Sequence, residues 1–302
     1  MLNELTIAYL FLGGAGAGAS LVLTLVSWCV AGVGLRRPAA AGGAGLLGSL
    51  ACRFVPAPAE HRLLGFGYVV AAAVQALGML CLLFDMGRPD KALILLINPH
   101  VSVTSIGAYA LGGLVLVCAA LALVWLGAVR ARRAVVRALG ALVLVVSLVV
   151  MAYTALLLRA FAGVEFWDSL LLVALFVASG VSTGIAVVVA TMVATLASVR
   201  YEGLVGRLLK ADVLVIAVEA IVLVTYMATS WFVAPVQVEA LLVGDLAEVF
   251  WTGFVVCGMV APLVLNVGSR VVSGLVVHPA VLCALVLVGG FCLRWCVAMV
   301  PR

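Results

Sequence analysis

The chain has 302 residues, of which 67% are hydrophobic and 10% charged, with a mean hydropathy of +1.37; a soluble domain carries about 25% charged residues, so this composition suits lipid. The formal charge of +5 is no nucleic-acid signal, because the basic residues stand in short segments between apolar runs rather than on one face with aromatics. No polar stretch is long enough to build a separate core, which predicts a single integral membrane domain over residues 1–302.

Eight apolar runs follow one another, each long enough to cross a hydrocarbon core of about 30 Å. The first, residues 5–33, has no basic residue ahead of it and is too long for a cleavable leader, so a retained span is expected. It carries GGAGAGAS at 13–20, where Gly14 with Gly18 and Ala15 with Ala19 share a helix face. The missing side chains serve either close helix packing or a slot for a flat ring. No strand precedes these glycines, which removes a dinucleotide-binding reading. The second run, 63–84, ends at Asp85, and Pro89 stops its propagation. The third, 101–129, opens after Asn98 and Pro99, with Ser102, Thr104 and Ser105 in its first turns. The fourth, 135–158, holds Tyr153, with Arg159 at its end. The fifth, 169–199, contains Ser179, Gly180, Ser182, Thr183 and Gly184 and repeats the packing-or-slot ambiguity. The sixth, 211–233, carries Glu219 near its middle; the seventh and eighth are 246–267 and 276–300, the last with Arg294 inside it. Lipid offers the backbone no partners, so runs of this length form helices. The expected fold is an all-α transmembrane bundle of eight helices.

Orientation follows from the basic residues. Arg36, Arg37, Arg53, Arg62, Arg130, Arg132, Arg133, Arg137, Arg200, Arg207, Lys210 and Arg270 fall on one side, against Arg88, Lys91, Arg159 and Arg302 on the other. The richer side is cytoplasmic by the positive-inside rule, which makes both termini extracytoplasmic. The outer face is also the acidic one, with Glu4, Asp85, Asp90, Glu165, Asp168, Glu239, Asp245 and Glu248.

Ionisable groups inside a span cost about 2.5–3.5 kcal/mol on insertion scales, so each needs a partner or a task. Asp212, Glu219 and Tyr226 stand seven residues apart, on one helix stripe with about 10.5 Å between neighbours. The stripe is compatible with half of a proton path, and equally with a protonated structural acid at Glu219. At the outer ends of the second to fourth spans, Asp85, Arg88, Tyr153 and Arg159 offer carboxylate, phenol and cation beside a greasy region, the groups a quinone headgroup uses. The three histidines, His61, His100 and His278, lie near span ends on different sides, so a haem between two of them is not expected. The eight cysteines include no CxxC pair, so no iron–sulfur cluster or structural metal is expected in this chain. A secondary transporter would use Glu219 and the glycine-broken fifth span, but no inverted repeat is visible. A redox-inactive structural anchor would bind no quinone.

In combination, YLFLGGAGAGA at 9–19, DMGRP at 85–89, NPHVSVTSIGAY at 98–109, SGVSTG at 179–184 and FWTGF at 250–254 resemble the NrfD and polysulfide reductase membrane-subunit family. GGFCLR, ending at Arg294, is a further match. The resemblance implies a multi-pass anchor in the cytoplasmic membrane, without haem, that binds menaquinol at its outer end. It also implies a four-cluster iron–sulfur subunit that receives the electrons, and commonly a molybdopterin catalytic subunit, both on the extracytoplasmic side. Residue by residue, it gives the quinone contact to Tyr153 and an acidic neighbour at Asp85. Tyr9, with Asn3 as the alternative, stands for the polar residues at the start of the first helix. Asp212 and Glu219 fall where the family's proton route is proposed to run.

Overall fold

A computed structural model describes residues 4–30, 61–85, 103–160, 165–197, 201–271 and 278–300. In hydrocarbon each backbone N–H and C=O must be satisfied within its own segment, and every element among the described residues is helical. Helix α1 is Glu4–Val30, and α2 is Phe66–Asp85, entered through a π-helical turn at His61–Gly65. Then come α3, Val103–Trp125, and α4, Arg133–Ala160. A one-turn 3-10 helix, Glu165–Trp167, leads into α5, Leu170–Ala194, followed by α6, Glu202–Val233, and the short α7, Pro235–Leu242. A π-helical segment, Val249–Val260, runs into α8, Ala261–Val271, and α9 is Pro279–Met299.

Seven stretches among the described residues are long and apolar enough to cross a membrane: those of α1 to α5, the π segment with α8, and α9. The apolar runs predict eight. The remaining run, 211–233, is the later part of α6, which begins nine residues earlier at Glu202 and takes in Arg207 and Lys210. Hydropathy marks where lipid is, whereas hydrogen bonding marks where the helix is, and charged residues do not interrupt the latter. The loop expected after this run contains α7, with Pro235 in the first turn, where its missing N–H has no intrahelical role.

Several ends are set by local chemistry. Ser169 caps α5 by accepting a hydrogen bond from the Leu171 N–H at 3.2 Å. Gly127, at φ 76°, adopts the left-handed conformation that reverses the chain after α3.

The most buried of the seven stretches is α1, which packs against α2, α4, α5 and α9. Its small residues are what permit this. A Cβ added at Gly18 would run into the Gly180 carbonyl of α5, and one at Gly184 into the Gly18 backbone. The motifs GGAGAGAS and SGVSTG are therefore two sides of one close backbone crossing, which decides between packing and an empty slot at these glycines. A second crossing pairs the π segment with α9, where a Cβ on Gly258 would stand 2.7 Å from the Gly289 Cα.

Candidate functional site

The start of α1 and the end of α2 meet at one end of the bundle. There the Thr6 hydroxyl donates to Asp85 Oδ2 at 2.7 Å. Tyr9, three residues on and so on a neighbouring helix face, is 1% exposed and shares a hydrogen bond between phenols with Tyr153 of α4, itself 4% exposed. The Tyr153 ring lies against Gly107 of α3, so closely that a Cβ on Gly107 would fall within the ring. Four helices thus place the phenol pair and, one turn away along α1, the Thr6–Asp85 pair at the same end of the bundle. These groups can both donate and accept hydrogen bonds.

Of the other residues expected here, Asn3 and Arg88 lie outside the described residues. Arg159 is paired with Asp168 at 2.5 Å, both side chains about half exposed, so its charge is held at the surface between α4 and α5. Thr6 and Gly107 carry the geometry without having been picked out. A threonine one turn before Tyr9 was a legible signal, whereas the place of Gly107 under a ring depends on how α3 meets α4.

A second polar network crosses the interior. Asp212 of α6 is 5% exposed and accepts from the Ser182 hydroxyl of α5 at 2.7 Å. Glu219, 4% exposed, is hydrogen-bonded to Ser179, one turn along α5 from Ser182. Ser179 Oγ in turn accepts from Arg294 Nη1 at 3.3 Å. The Arg294 guanidinium is fully buried and also donates to the carbonyls of Leu10 at 3.1 Å and Gly290 at 2.7 Å. The rings of Phe11 and Phe176 lie 5.6 and 5.5 Å from its central carbon, within cation–π range. Gly14 leaves the space, since a Cβ there would come within 2.7 Å of Nη2. Leu10 adjoins Tyr9, so this network ends beside the phenol pair.

The three members of the expected stripe on α6 therefore have different partners. Asp212 and Glu219 are linked sideways through the serines of α5, which stand about 4.5 Å apart in helix rise, rather than along α6. The Tyr226 hydroxyl donates to the Phe166 carbonyl at 2.6 Å, with its ring tilted against Phe166. Gln75 of α2, unforeseen, donates to the Gly16 carbonyl at 2.9 Å and to Ser20 at 2.6 Å, while Cys118 of α3 also donates to Ser20. This knot ties α1, α2 and α3 together.

The family model described as polysulphide reductase, NrfD, matches residues 38–300. No curated protein matches the chain. Since the matched region is most of the sequence, the chain belongs to the NrfD family. It is a multi-pass membrane protein, and membership implies a membrane subunit of a respiratory oxidoreductase.

Proposed function

We propose, taking NrfD membership as the premise, that this chain is the quinol-oxidising membrane anchor of a multi-subunit oxidoreductase in the cytoplasmic membrane. It binds menaquinol at the outer end of α1 to α4. Electrons pass to an iron–sulfur subunit on the extracytoplasmic face, which serves a molybdopterin catalytic subunit. In this arrangement α6 is an eighth span and both termini face outward, the orientation that the positive-inside rule predicts from the basic residues.

The observation that supports this reading is the convergence of Tyr9, Tyr153 and Asp85, the last held by Thr6. A bound quinol supplies two electrons and two protons on oxidation. Tyr153 orients the headgroup by hydrogen-bonding one of its oxygens, and Tyr9 holds Tyr153 in place. The Asp85 carboxylate accepts one of the two protons and the other leaves to water at the outer face, while the Thr6 hydroxyl fixes the carboxylate's orientation. Gly107 keeps the Tyr153 ring against α3, so that the hydroxyl stays at the edge of the apolar region.

Removing the Tyr153 hydroxyl while keeping its ring removes, besides the bond to Tyr9, the hydrogen bond to the quinol, worth about 0.5–1.5 kcal/mol. Tyr153→Phe is therefore expected to lower kcat/KM for quinol oxidation by the assembled complex about two- to twelvefold, with subunit composition unchanged. Wild-type turnover in that variant removes Tyr153 from the site.

The interior network supports a second element of the same function, a proton route from the cytoplasmic side through Asp212, Ser182, Ser179 and Glu219 towards Arg294. A carboxylic acid that exchanges protons cannot be replaced by an amide, whereas a structural acid largely can. Glu219→Gln is expected to assemble with reduced stability, because the Arg294 cation loses its acid, and to abolish any transmembrane proton movement coupled to quinol turnover in proteoliposomes. An unchanged proton-to-electron ratio assigns Glu219 to structure alone.

A further inference from the structure

Below the phenol pair, the surface between α3 and α4 opens into a groove of about 250 Å³ lined by Tyr109, Gly113, Val117, Leu142, Val143 and Val146. We infer that this groove receives the polyprenyl tail of the quinol whose headgroup meets Tyr153, and that it is the path by which the quinol enters from lipid. The inference rests on the quinol-binding reading and adds a direction of approach to it.

Continuity with the headgroup cluster carries the argument. Gly107 and Leu114, seven residues apart, lie on nearly one stripe of α3, and Val146 and Tyr153 do the same on α4. The contact between Gly107 and Tyr153 closes the top of the seam that the groove opens lower down. Tyr109 lies about 3 Å inward of Gly107 along the helix rise, and Val117 about 15 Å. The groove therefore starts next to the headgroup position and runs toward the middle of the membrane. Its walls are almost wholly apolar, and Tyr109 and Leu142 are 40% and 47% exposed at its rim. A branched hydrocarbon chain attached to a ring at Tyr153 finds there an apolar bed that begins where the ring ends. Gly113 is the opening itself, because a Cβ built on it meets nothing within 4 Å.

The test separates tail from headgroup. The complex, purified with its partner subunits and reconstituted in liposomes, is assayed with long-chain menaquinol and with a tail-less naphthoquinol. The variants are Gly113→Phe, whose Cβ enters open space and whose ring occupies the groove, and Leu142→Trp, which narrows it from the rim. Leu116→Phe serves as control, as Leu116 is 72% exposed elsewhere on α3. The expected result is a rise of about tenfold in KM for the long-chain quinol, the equivalent of losing the burial of roughly two methylene groups. The tail-less quinol and the control should behave as wild type. If both groove variants leave the long-chain KM unchanged, ordinary lipid fills the groove and the inference is overturned. It is overturned equally if the two quinols are impaired alike, which reports damage to the headgroup site. Failure of the quinol reading itself is recognised separately, by a tail-less quinol turnover that does not respond to Tyr153→Phe.

Discussion

Gly184→Val is expected to prevent the bundle from assembling. The Cβ of any side chain at this position would occupy the space of the Gly18 backbone, and the reciprocal addition at Gly18 would meet the Gly180 carbonyl. Overpacked cores usually relax by moving flexible side chains, at about 1–3 kcal/mol. Here the obstructing atoms are backbone on both sides, so α1 and α5 must separate. Separation would also pull Ser179 and Ser182 away from Arg294 and Asp212, so packing and polar interactions fail together. The loss should exceed about 3 kcal/mol, the upper end of that range, and appear as absent or aggregated protein after detergent extraction. Gly113→Ala is the matched control, as its new methyl group enters open space and alanine favours the helix. A Gly184→Val protein with wild-type yield and thermal stability would mean that α1 and α5 do not cross at these glycines.

The other large effect is expected at Arg294. Its guanidinium joins α9 to the Leu10 carbonyl of α1 and to Ser179 of α5, with Glu219 of α6 in electrostatic reach. Removing one member of a buried charged network typically destabilises by about 3–5 kcal/mol, because the partner charge is left uncompensated. Arg294→Leu should therefore lower thermal stability strongly, and Arg294→Lys should fall between, since an ammonium keeps the charge but gathers its donors on one atom, whereas the Arg294 bonds leave from both Nε and Nη1. The loss should be smaller in a Glu219→Gln background, where no acid depends on the cation. A double-mutant cycle on the melting of purified protein measures that coupling. Strictly additive effects would show that Arg294 and Glu219 do not interact.

What the sequence revealed and what it concealed divide along physical lines. The spans were legible because lipid demands long apolar runs, and runs at 135–158 and 169–199 lie within or close to the helices Arg133–Ala160 and Leu170–Ala194. The early start of α6 was hidden because Glu202, Arg207 and Lys210 interrupt the apolar pattern of its first turns, and α7 because eight residues between spans read as a loop. The π-helical winding of Val249–Val260 has no signature in hydropathy.

At the candidate site, residue types were visible and partners were not. Asp85 could be seen at the end of a span, but its bond to Thr6 joins residues 79 apart in sequence. Tyr153 stood out as a phenol near the end of its span, whereas Tyr9 was indicated only by the family resemblance, and the two are hydrogen-bonded. Their contact depends on α1 packing beside α4, which no local pattern encodes. Arg294 was conspicuous as a charge inside an apolar run, yet Gly14, the residue that makes room for it, lies 280 positions away. The spacing of Asp212, Glu219 and Tyr226 suggested a route along one helix. The hydrogen bonds instead lead across to α5, because a serine one helix away is nearer than an acid two turns along.

If the cluster of Tyr9, Tyr153 and Asp85 binds a quinone headgroup, equilibrium binding of menaquinone to the purified chain in lipid nanodiscs should be saturable at about one quinone per chain. Tyr153→Phe should weaken it about two- to twelvefold through the loss of one hydrogen bond to the ring oxygen. A folded wild-type protein that takes up quinone only in proportion to its lipid, or whose affinity ignores Tyr153→Phe, would contradict binding at this cluster.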